Sequence, residues 1–287
     1  MIAIYKKEMR AYFTQMPGYV FLAIFLLLAG VFFTILNVRG ASGNFHFVLG
    51  EITIFFFILI PTLTMRLFSE EARQKTDQLL FTSPLTVSAI VLGKFFAALS
   101  LFLLGTAATV ILPVLLGRHG ELPVSQIAGT YAGFFLLGAA CIAIGVLISV
   151  LTENQIVAAV GTMAAVFVMF IMEAIALAMP TSGAASLVFA GLVIAAVAGI
   201  WYNSTRKVWA AIIAGAVGIA AAGGLFLLNS ALFDGLIVRV LLWFSLFARF
   251  GSFTRGVLSF SDIVYYVSFV ALFLYFTVNV IEKRRWR

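Results

Sequence analysis

The sequence predicts an all-α polytopic membrane protein with about eight transmembrane helices, and three observations lead to this fold class. Of the 287 residues, 63% are hydrophobic and only 10% are charged, and the mean hydropathy is +1.16. A water-soluble domain of this length has too little interior to bury so much apolar surface. Several apolar runs approach or exceed the roughly 20 residues that a helix needs to cross a bilayer, where only internally bonded backbone is stable.

Residues 1–18 predict an interfacial elbow helix. Apolar side chains recur at helical spacing, and basic and polar ones share the other side. The apolar set is Ile2, Tyr5, Met9, Tyr12, Phe13 and Met16, and the polar set is Lys6, Lys7, Arg10 and Thr14. Pro17 and Gly18 are expected to break this helix and turn the chain into the first span.

Eight apolar stretches are predicted to span the membrane, namely residues 19–37, 48–66, 91–116, 131–151, 156–178, 186–202, 207–228 and 262–281. Thr152 and Gln155 are placed as a capping box at the start of the fifth, and Ser261-Asp262 can cap the eighth. Small residues in the seventh predict close helix packing within the same subunit, and packing against a second copy in a dimer is the alternative. They include Gly215, Gly218 and Ala222.

Residues 229–260 are apolar but carry three arginines, Arg239, Arg249 and Arg255, with glycine breaks between them. Three arginines make a full span costly. Two short helices that dip into the outer leaflet or lie on it are therefore predicted. The alternative is a ninth span, which would place one terminus outside the cell.

The basic residues also predict the orientation. With the N-terminus inside, 13 of the 18 Lys and Arg residues fall on the inner side and five on the outer side, as the positive-inside rule requires. Both termini are then cytoplasmic. The basic residues do not line one face, so no nucleic-acid partner is expected. Cys141 is the only cysteine, which excludes an intrachain disulfide and a cysteine metal cluster.

A polar segment of mixed charge follows the second span. Residues 66–84 read RLFSEEARQKTDQLLFTSP, without Gly or Pro before the end. They predict that the span continues as a helix into water, followed by a short amphipathic piece. Ser83 and Pro84 suit the start of a new helix, and Lys94 is expected to extend its ammonium to the inner interface. A solvated loop that contacts nothing is the alternative.

The order of these residues resembles the cytoplasmic segment of ABC-transporter permeases of the type-2 exporter family. That pattern has an acidic pair, a basic residue, Thr, a polar residue, two Leu, a small polar residue, Pro and a later Gly-Lys. The matching residues here are Glu70, Glu71, Arg73, Thr76, Asp77, Leu79, Leu80, Thr82, Pro84, Gly93 and Lys94. YKKEMRAYFTQMPGYV resembles the family's elbow. The tail, with DIVYY and a closing RRW, resembles the gliding-motility-type branch.

The resemblance implies one permease domain over residues 1–287, with a six-span core plus two extra spans. Within it, residues 1–18 form the elbow, 67–88 a cytoplasmic coupling segment, and 229–260 outer-leaflet helices. No GxxxxGK[ST] phosphate loop occurs, so the chain itself is not expected to be an enzyme and carries no nucleotide-binding domain. ATP and Mg²⁺ are expected on a separate ABC ATPase subunit.

Two ATPase copies, a second permease copy or a paralogous permease, and membrane lipids complete the assembly that the resemblance implies. Its location would be the bacterial cytoplasmic (inner) membrane. The residues expected to contact the ATPase are Glu70, Glu71, Arg73, Gln74, Thr76, Asp77, Leu79, Leu80, Thr82 and Pro84.

The implied activity is ATP-driven export of an unidentified substrate. Glu173, Glu51 and Thr162 are candidates for the translocation path, because polar groups within spans are costly and usually face protein or a cavity. A protonated Glu173, an interfacial Glu51 and a Thr162 that only packs are the alternatives.

Other functions stay open. The chain can be a mechanotransmitter that passes ATP-driven motion to an outer partner. A proton-coupled secondary transporter would need more buried ionisable groups and internal repeats. An intramembrane enzyme would need a nucleophile with a base, or a metal cluster, and the spans carry no histidine.

Overall fold

The computed structural model describes residues 1–40, 43–76, 85–118, 122–205, 208–228 and 233–285, and all regular structure in these ranges is helical. A π-helical turn, Thr34–Arg39, extends the second helix, and a 3₁₀ turn, Thr53–Phe55, joins the third to the fourth. The α-helices are α1 (Ile2–Thr14), α2 (Met16–Phe33), α3 (His46–Ile52), α4 (Phe56–Thr64), α5 (Ser69–Arg73), α6 (Val87–Ala108), α7 (Ile111–Leu116), α8 (Val124–Leu151), α9 (Gln155–Ala178), α10 (Gly183–Thr205), α11 (Val208–Leu228), α12 (Leu236–Phe244), α13 (Leu246–Thr254) and α14 (Phe260–Arg285).

The predicted polytopic all-α fold is confirmed. Within the described ranges, six helical stretches are long and apolar enough to cross a membrane, and each overlaps one of the predicted spans. They are Met16–Arg39, His46–Thr64, Val87–Leu116, Val124–Leu151, Gln155–Ala178 and Phe260–Arg284. The predicted sixth and seventh spans form α10 and α11, in which the described apolar stretches are shorter, Gly183–Gly199 and Gly215–Leu228.

The segment before the last span forms two helices of nine residues each, α12 and α13. The chain breaks at Ser245, whose ψ of 114° is extended rather than helical. A nine-residue helix is only about 14 Å long, well short of a bilayer core. The segment is therefore not one continuous spanning helix, and its place at the outer leaflet stays a prediction.

The described chain divides into two compact units, Met1–Phe170 with Leu246–Arg287, and Ile171–Ser245. In the first unit α8 is central, and α3, α4, α6, α13 and α14 all pack on it. Glycines on α8 face different neighbours: Gly133 lies against Phe253 of α13, Gly138 against Phe102 of α6, and Gly145 against Thr64 of α4. Small residues allow helices in lipid to approach closely, so α8 can pack against several helices at once.

Fully buried aromatic rings fill the core of the first unit. Phe134 on α8 stacks on Phe102 of α6 at 5.5 Å between ring centroids, and Phe56 of α4 meets it edge-on at 5.0 Å. Phe21 and Phe25 of α2 stack beside them. Aromatic pairs in these geometries contribute beyond the area they bury, and here they join four helices.

In the second unit α10 packs along α11, and α12 contacts α10. Gly218 lies against Ile194, and Gly215 lies against Ala198. Both glycines thus lie against α10 of the same chain, which agrees with the predicted packing within the subunit. The side chain of Ala222, the third small residue of that prediction, lies outside the described part of the structure.

The elbow differs from its prediction at its end. Helix α1 stops at Thr14, Gln15 is extended, and Pro17 falls in the first turn of α2. Pro17 therefore begins the first span instead of breaking the elbow, because a first-turn residue needs no backbone N–H for the helix. Gly18 lies directly against the Tyr12 carbonyl, where a Cβ has no room.

The predicted apolar face of the elbow is divided. Ile4 and Tyr12 are buried and Tyr5 is half-buried, whereas Ile2 and Met16 are exposed. Helix α1 lies along α6, so the side chains that meet α6 form the buried face. The apolar periodicity of the sequence could not show which of these side chains would be buried against α6 and which would stay exposed.

Two predicted helix caps are wrong in detail. Asn154, the residue before α9, accepts a hydrogen bond from the Ile156 N–H at 2.9 Å, whereas Thr152 accepts only from the Asn154 N–H. Asn154 thus takes the capping role predicted for Thr152. Asp262 does not cap α14 but pairs with Arg249 instead.

The Tyr12 side chain caps the C-terminal end of α4 with a hydrogen bond. Its hydroxyl donates a 2.6 Å hydrogen bond to the carbonyl of Leu63, one of the last carbonyls of the helix, which lack helical partners. Burial and the Glu8 charge raise the pKa of Tyr12, so the phenol stays protonated and able to donate.

Tyr12→Phe is expected to lower the free energy of unfolding by about 1–2 kcal/mol, because a buried carbonyl then lacks a donor. Unfolding in detergent, followed by heat or denaturant, measures the change. Tyr19→Phe, the same substitution at an exposed tyrosine, is the control. Equal stability of the two variants would contradict this role for the Tyr12 hydroxyl.

Candidate functional site

The polar segment after α4 begins with a turn and the short helix α5. The Ser69 hydroxyl donates to the Met65 carbonyl at the start of α5. Arg66 donates from Nε and Nη2 to the two carboxylate oxygens of Glu70, at 2.7 and 2.8 Å. Opposite charges four residues apart stabilise a helix. The Arg66–Glu70 ion pair therefore links the turn to α5 in addition to the backbone.

Lys75 terminates α5 from outside the helix, two residues after its last residue. Its φ of +56° is left-handed. The Thr76 and Lys75 N–H groups donate to the carbonyls of Glu71 and Ala72 at 3.0 and 3.1 Å. These two bonds form a Schellman motif. The prediction that span two continues as one helix into this segment is therefore wrong, since a turn separates α4 from α5 and α5 ends at Arg73.

The described residues of the predicted coupling segment differ in exposure. Arg73, Gln74 and Lys75 are exposed, and Glu70, Glu71 and Thr76 are half-buried. Thr86 caps the start of α6, and its hydroxyl accepts a hydrogen bond from the Ala89 N–H at 3.3 Å. Several predicted site residues, Asp77, Leu79, Leu80, Thr82 and Pro84, lie outside the described residues, as does the predicted cap Ser83.

Lys94 on α6 is the buried centre of this region. Its side chain is 1% exposed, and its ammonium lies 2.7 Å from Glu8 Oε1 of α1 and 2.9 Å from Glu71 Oε2 of α5. It also donates to the carbonyl of Leu67, and it lies 4.9 Å from the centre of the Phe68 ring. The prediction that Lys94 extends to the interface is wrong, because protein acceptors surround its ammonium within the fold.

The chain of charges continues to the elbow. Lys7 Nζ lies 2.7 Å from the other Glu71 oxygen, Oε1. Partial burial lowers the pKa of Lys7, but the hydrogen bond and charge of Glu71 and the charge of Glu8 outweigh it, so the pKa is raised. The order Lys7, Glu71, Lys94, Glu8 alternates in sign and links α1, α5 and α6. We call these four residues the Lys94 network.

Glu70 and Glu71, both predicted to contact a partner, thus hold ion pairs inside the chain. Among residues 66–76, the exposed side chains are those of Arg73, Gln74 and Lys75. No pattern in the sequence indicated that Glu8 would pair with Lys94, and Lys94 was predicted to lie at the interface instead of in the protein interior. The one signal for Lys94 was its match to the Gly-Lys pair of the resembled family.

The three translocation candidates have different surroundings. Thr162 is fully buried, and its hydroxyl donates to the Ala158 carbonyl of its own helix at 2.8 Å. Glu51 is exposed at the end of α3, and Glu173 is half-buried on α9. The Thr162 hydroxyl is therefore used within α9, and a role for any of the three in translocation stays a prediction.

An ion pair outside the Lys94 network joins α13 to the start of α14. Arg249 Nη1 lies 2.9 Å from Asp262 Oδ1, and the guanidinium lies 3.9 Å from the centre of the Tyr265 ring. The Tyr266 hydroxyl donates to the Leu246 carbonyl at 2.6 Å. The DIVYY stretch thus attaches α13 to the last span, a role that the sequence analysis did not foresee.

Comparison with known proteins gives one match. A family model described as ABC-2 family transporter protein matches residues 37–193, more than half of the chain. The matched range contains α5, α6 and the central helix α8. No curated protein and no solved structure matches the chain.

Proposed function

Since the chain belongs to the ABC-2 family of transporter proteins, we propose that it is the membrane permease subunit of an ABC transporter and exports a substrate using ATP hydrolysed by a separate subunit. The membrane domain of this family is the non-catalytic part, and an ATPase partner follows from membership. ATP and Mg²⁺ would bind to that partner. The likeness to the gliding-motility-type branch stays a prediction.

The observation that carries the proposal is the exposed end of α5. Arg73, Gln74 and Lys75 present donors to solvent at the end of a helix that internal ion pairs hold in place. A docking site that transmits force needs both an accessible surface and a fixed base. Residues 77–84, with Asp77, Leu79, Leu80, Thr82 and Pro84, would complete the ATPase contact.

The assembly we propose has two ATPase copies and a second permease, identical or paralogous, around a two-fold axis. The excess of Lys and Arg on one side supports cytoplasmic termini and a bacterial inner-membrane location. ATP binding would draw the ATPases together, and α5 would follow, shifting the spans between inward-open and outward-open states.

A second candidate is mechanotransmission to a partner outside the cell. It is favoured by α12, on which Trp243 and Phe244 are largely exposed beside Arg239. Aromatic residues and arginine are enriched in protein interfaces. Substitution of both aromatic residues by serine would disturb such a partner while leaving ATPase binding intact.

Arg73→Glu is expected to weaken ATPase binding about tenfold, because it places a like charge where the proposed contact needs a cation. Lys75→Glu is expected to act in the same direction. Affinity is measured by co-purification of the ABC ATPase with the tagged permease over a range of salt concentrations.

Lys283→Glu, the same reversal at an exposed lysine near the other end of the chain, is the control. Glu71→Lys is a poor probe, since it would disrupt the Lys94 network and test folding as well. Undiminished ATPase binding by a stable Arg73→Glu, Lys75→Glu double variant would argue against the proposed docking surface.

A further inference from the structure

The ammonium of Lys94 has three acceptors, one from each of three places in the chain. Glu8 Oε1 belongs to α1, the Leu67 carbonyl to the turn after α4, and Glu71 Oε2 to α5. A lysine ammonium has three N–H donors. The acceptors match the donors in number, so no N–H group of Lys94 is left over to bind a substrate.

The close approach of α1 to α6 depends on the residue before Lys94. A Cβ on Gly93 would lie 3.1 Å from the Ile4 side chain and from the Met1 carbonyl. Such a spacing is tighter than ordinary van der Waals contact. Gly93 thus lets the elbow lie close enough for Glu8 to reach Lys94, which gives the Gly-Lys pair a joint physical role.

Burial makes this contact difficult to open. Separating α1 from α5 would leave a 1% exposed ammonium with fewer partners, and removal of one partner from a buried ion pair is strongly unfavourable. Lys7 joins the same two helices at the exposed end through Glu71, and Tyr12 joins α1 to the end of α4. Ion pairs therefore hold the elbow to α5, and one hydrogen bond holds it to the end of α4.

We propose that Lys94 is a positioning residue that makes the elbow helix α1 and the segment α5 move as one rigid body. A displacement of α5 would then reach the first span through α1, which continues into α2 after one extended residue, and the third span through α6. This last step rests on the proposed function, whereas the rigid connection is a property of the permease alone.

The connection is tested first in the full-length permease without any ATPase. The only natural cysteine, the buried Cys141, is replaced by alanine. Spin labels are placed at Arg10 on α1 and Gln74 after α5, both exposed. Pulsed electron paramagnetic resonance in lipid nanodiscs then gives the distribution of distances between the two elements.

The labelled parent is expected to show one narrow distance, and Lys94→Met a distribution at least about twice as broad, because the charges that join the elements are unbalanced. Lys6→Met, on the exposed side of α1, is the matched control and should stay narrow. A narrow, unshifted distribution in Lys94→Met would overturn the proposal.

If the single variant does not fold, Lys94→Met is combined with Glu8→Gln and Glu71→Gln. The triple variant leaves no buried carboxylate without a partner, so it should fold while losing the ionic connection. Broadening is expected here too, and a narrow distribution would again overturn the proposal.

The second test uses the complex with its ATPase. Lys94→Met should keep ATPase binding within about twofold, since Arg73, Gln74 and Lys75 are intact, but lower permease-dependent ATP hydrolysis about tenfold. Normal hydrolysis would show that Lys94 does not position the coupling segment. Failure of the parent permease to bind an ATPase would refute the proposed function instead, and would leave the distance measurement valid.

Discussion

Gly138→Ala is expected to lower the free energy of unfolding by about 2–3 kcal/mol, although alanine is the better helix former. The new Cβ would overlap the ring of Phe102, which is itself fully buried. That ring cannot withdraw, because Phe134 stacks on it and Phe56 meets its edge. Insertion of a methyl group into a packed core of this kind forces side chains or helices apart.

Gly30→Ala is the matched control and should have the opposite sign. Gly30 also lies within a spanning helix, α2, but nothing lies within 4 Å of the position of its Cβ. The substitution should leave stability unchanged or raise it by up to about 1 kcal/mol, through the gain in helix propensity. Reversible unfolding in mixed micelles compares the two, and a Gly138→Ala variant as stable as the parent would refute the packing of α6 on α8 described above.

Arg249→Met is expected to cost about 2–3 kcal/mol of stability. It removes the partner of the mostly buried Asp262 carboxylate and the cation above the Tyr265 ring. A buried carboxylate without its partner is costly, but solvent reaches part of this pair and reduces the effect. The loss should appear as earlier proteolysis of the α13 region, since α13 is then held to α14 by fewer contacts.

The double variant Arg249→Met, Asp262→Asn separates the ion pair from packing. It should recover about 1 kcal/mol relative to Arg249→Met alone, because no charge is left unpaired. Arg255→Met, at an exposed arginine close by, should change stability little. Additive effects of the two single substitutions would indicate that the Arg249–Asp262 contact contributes nothing.

The sequence predicted the helices well because lipid imposes a strict rule on them. Each run of about 20 apolar residues had to be helical, and six of the eight form helices long and apolar enough to span, with bounds that differ from the predicted ones by seven residues at most. Arginines in an apolar context likewise predicted the short helices α12 and α13, since a full span would have buried all of them.

The sequence could not place Lys94, because hydropathy treats a lysine at a span end as a group that seeks water. Its acceptors are brought to it by folding: Glu8 lies 86 residues earlier in the chain, and the Leu67 carbonyl has no side-chain signature at all. The same holds for Arg249, whose partner was assigned a local capping role. Ion pairs between helices depend on how the helices pack together. The spacing of residues along a single helix carries no information about that packing.

The glycines of α8 restrict how the permease can change shape. Rotation of this helix by one residue, about 100°, would bring Thr130, Phe134, Ala139 and Val146 to the contacts now made by Gly129, Gly133, Gly138 and Gly145. Every one of these replacements is bulkier than the residue it displaces. Rotation of α8 about its own axis is therefore unfavourable, and we expect any change of shape in the first unit to proceed by tilting or sliding of the helices that pack on α8.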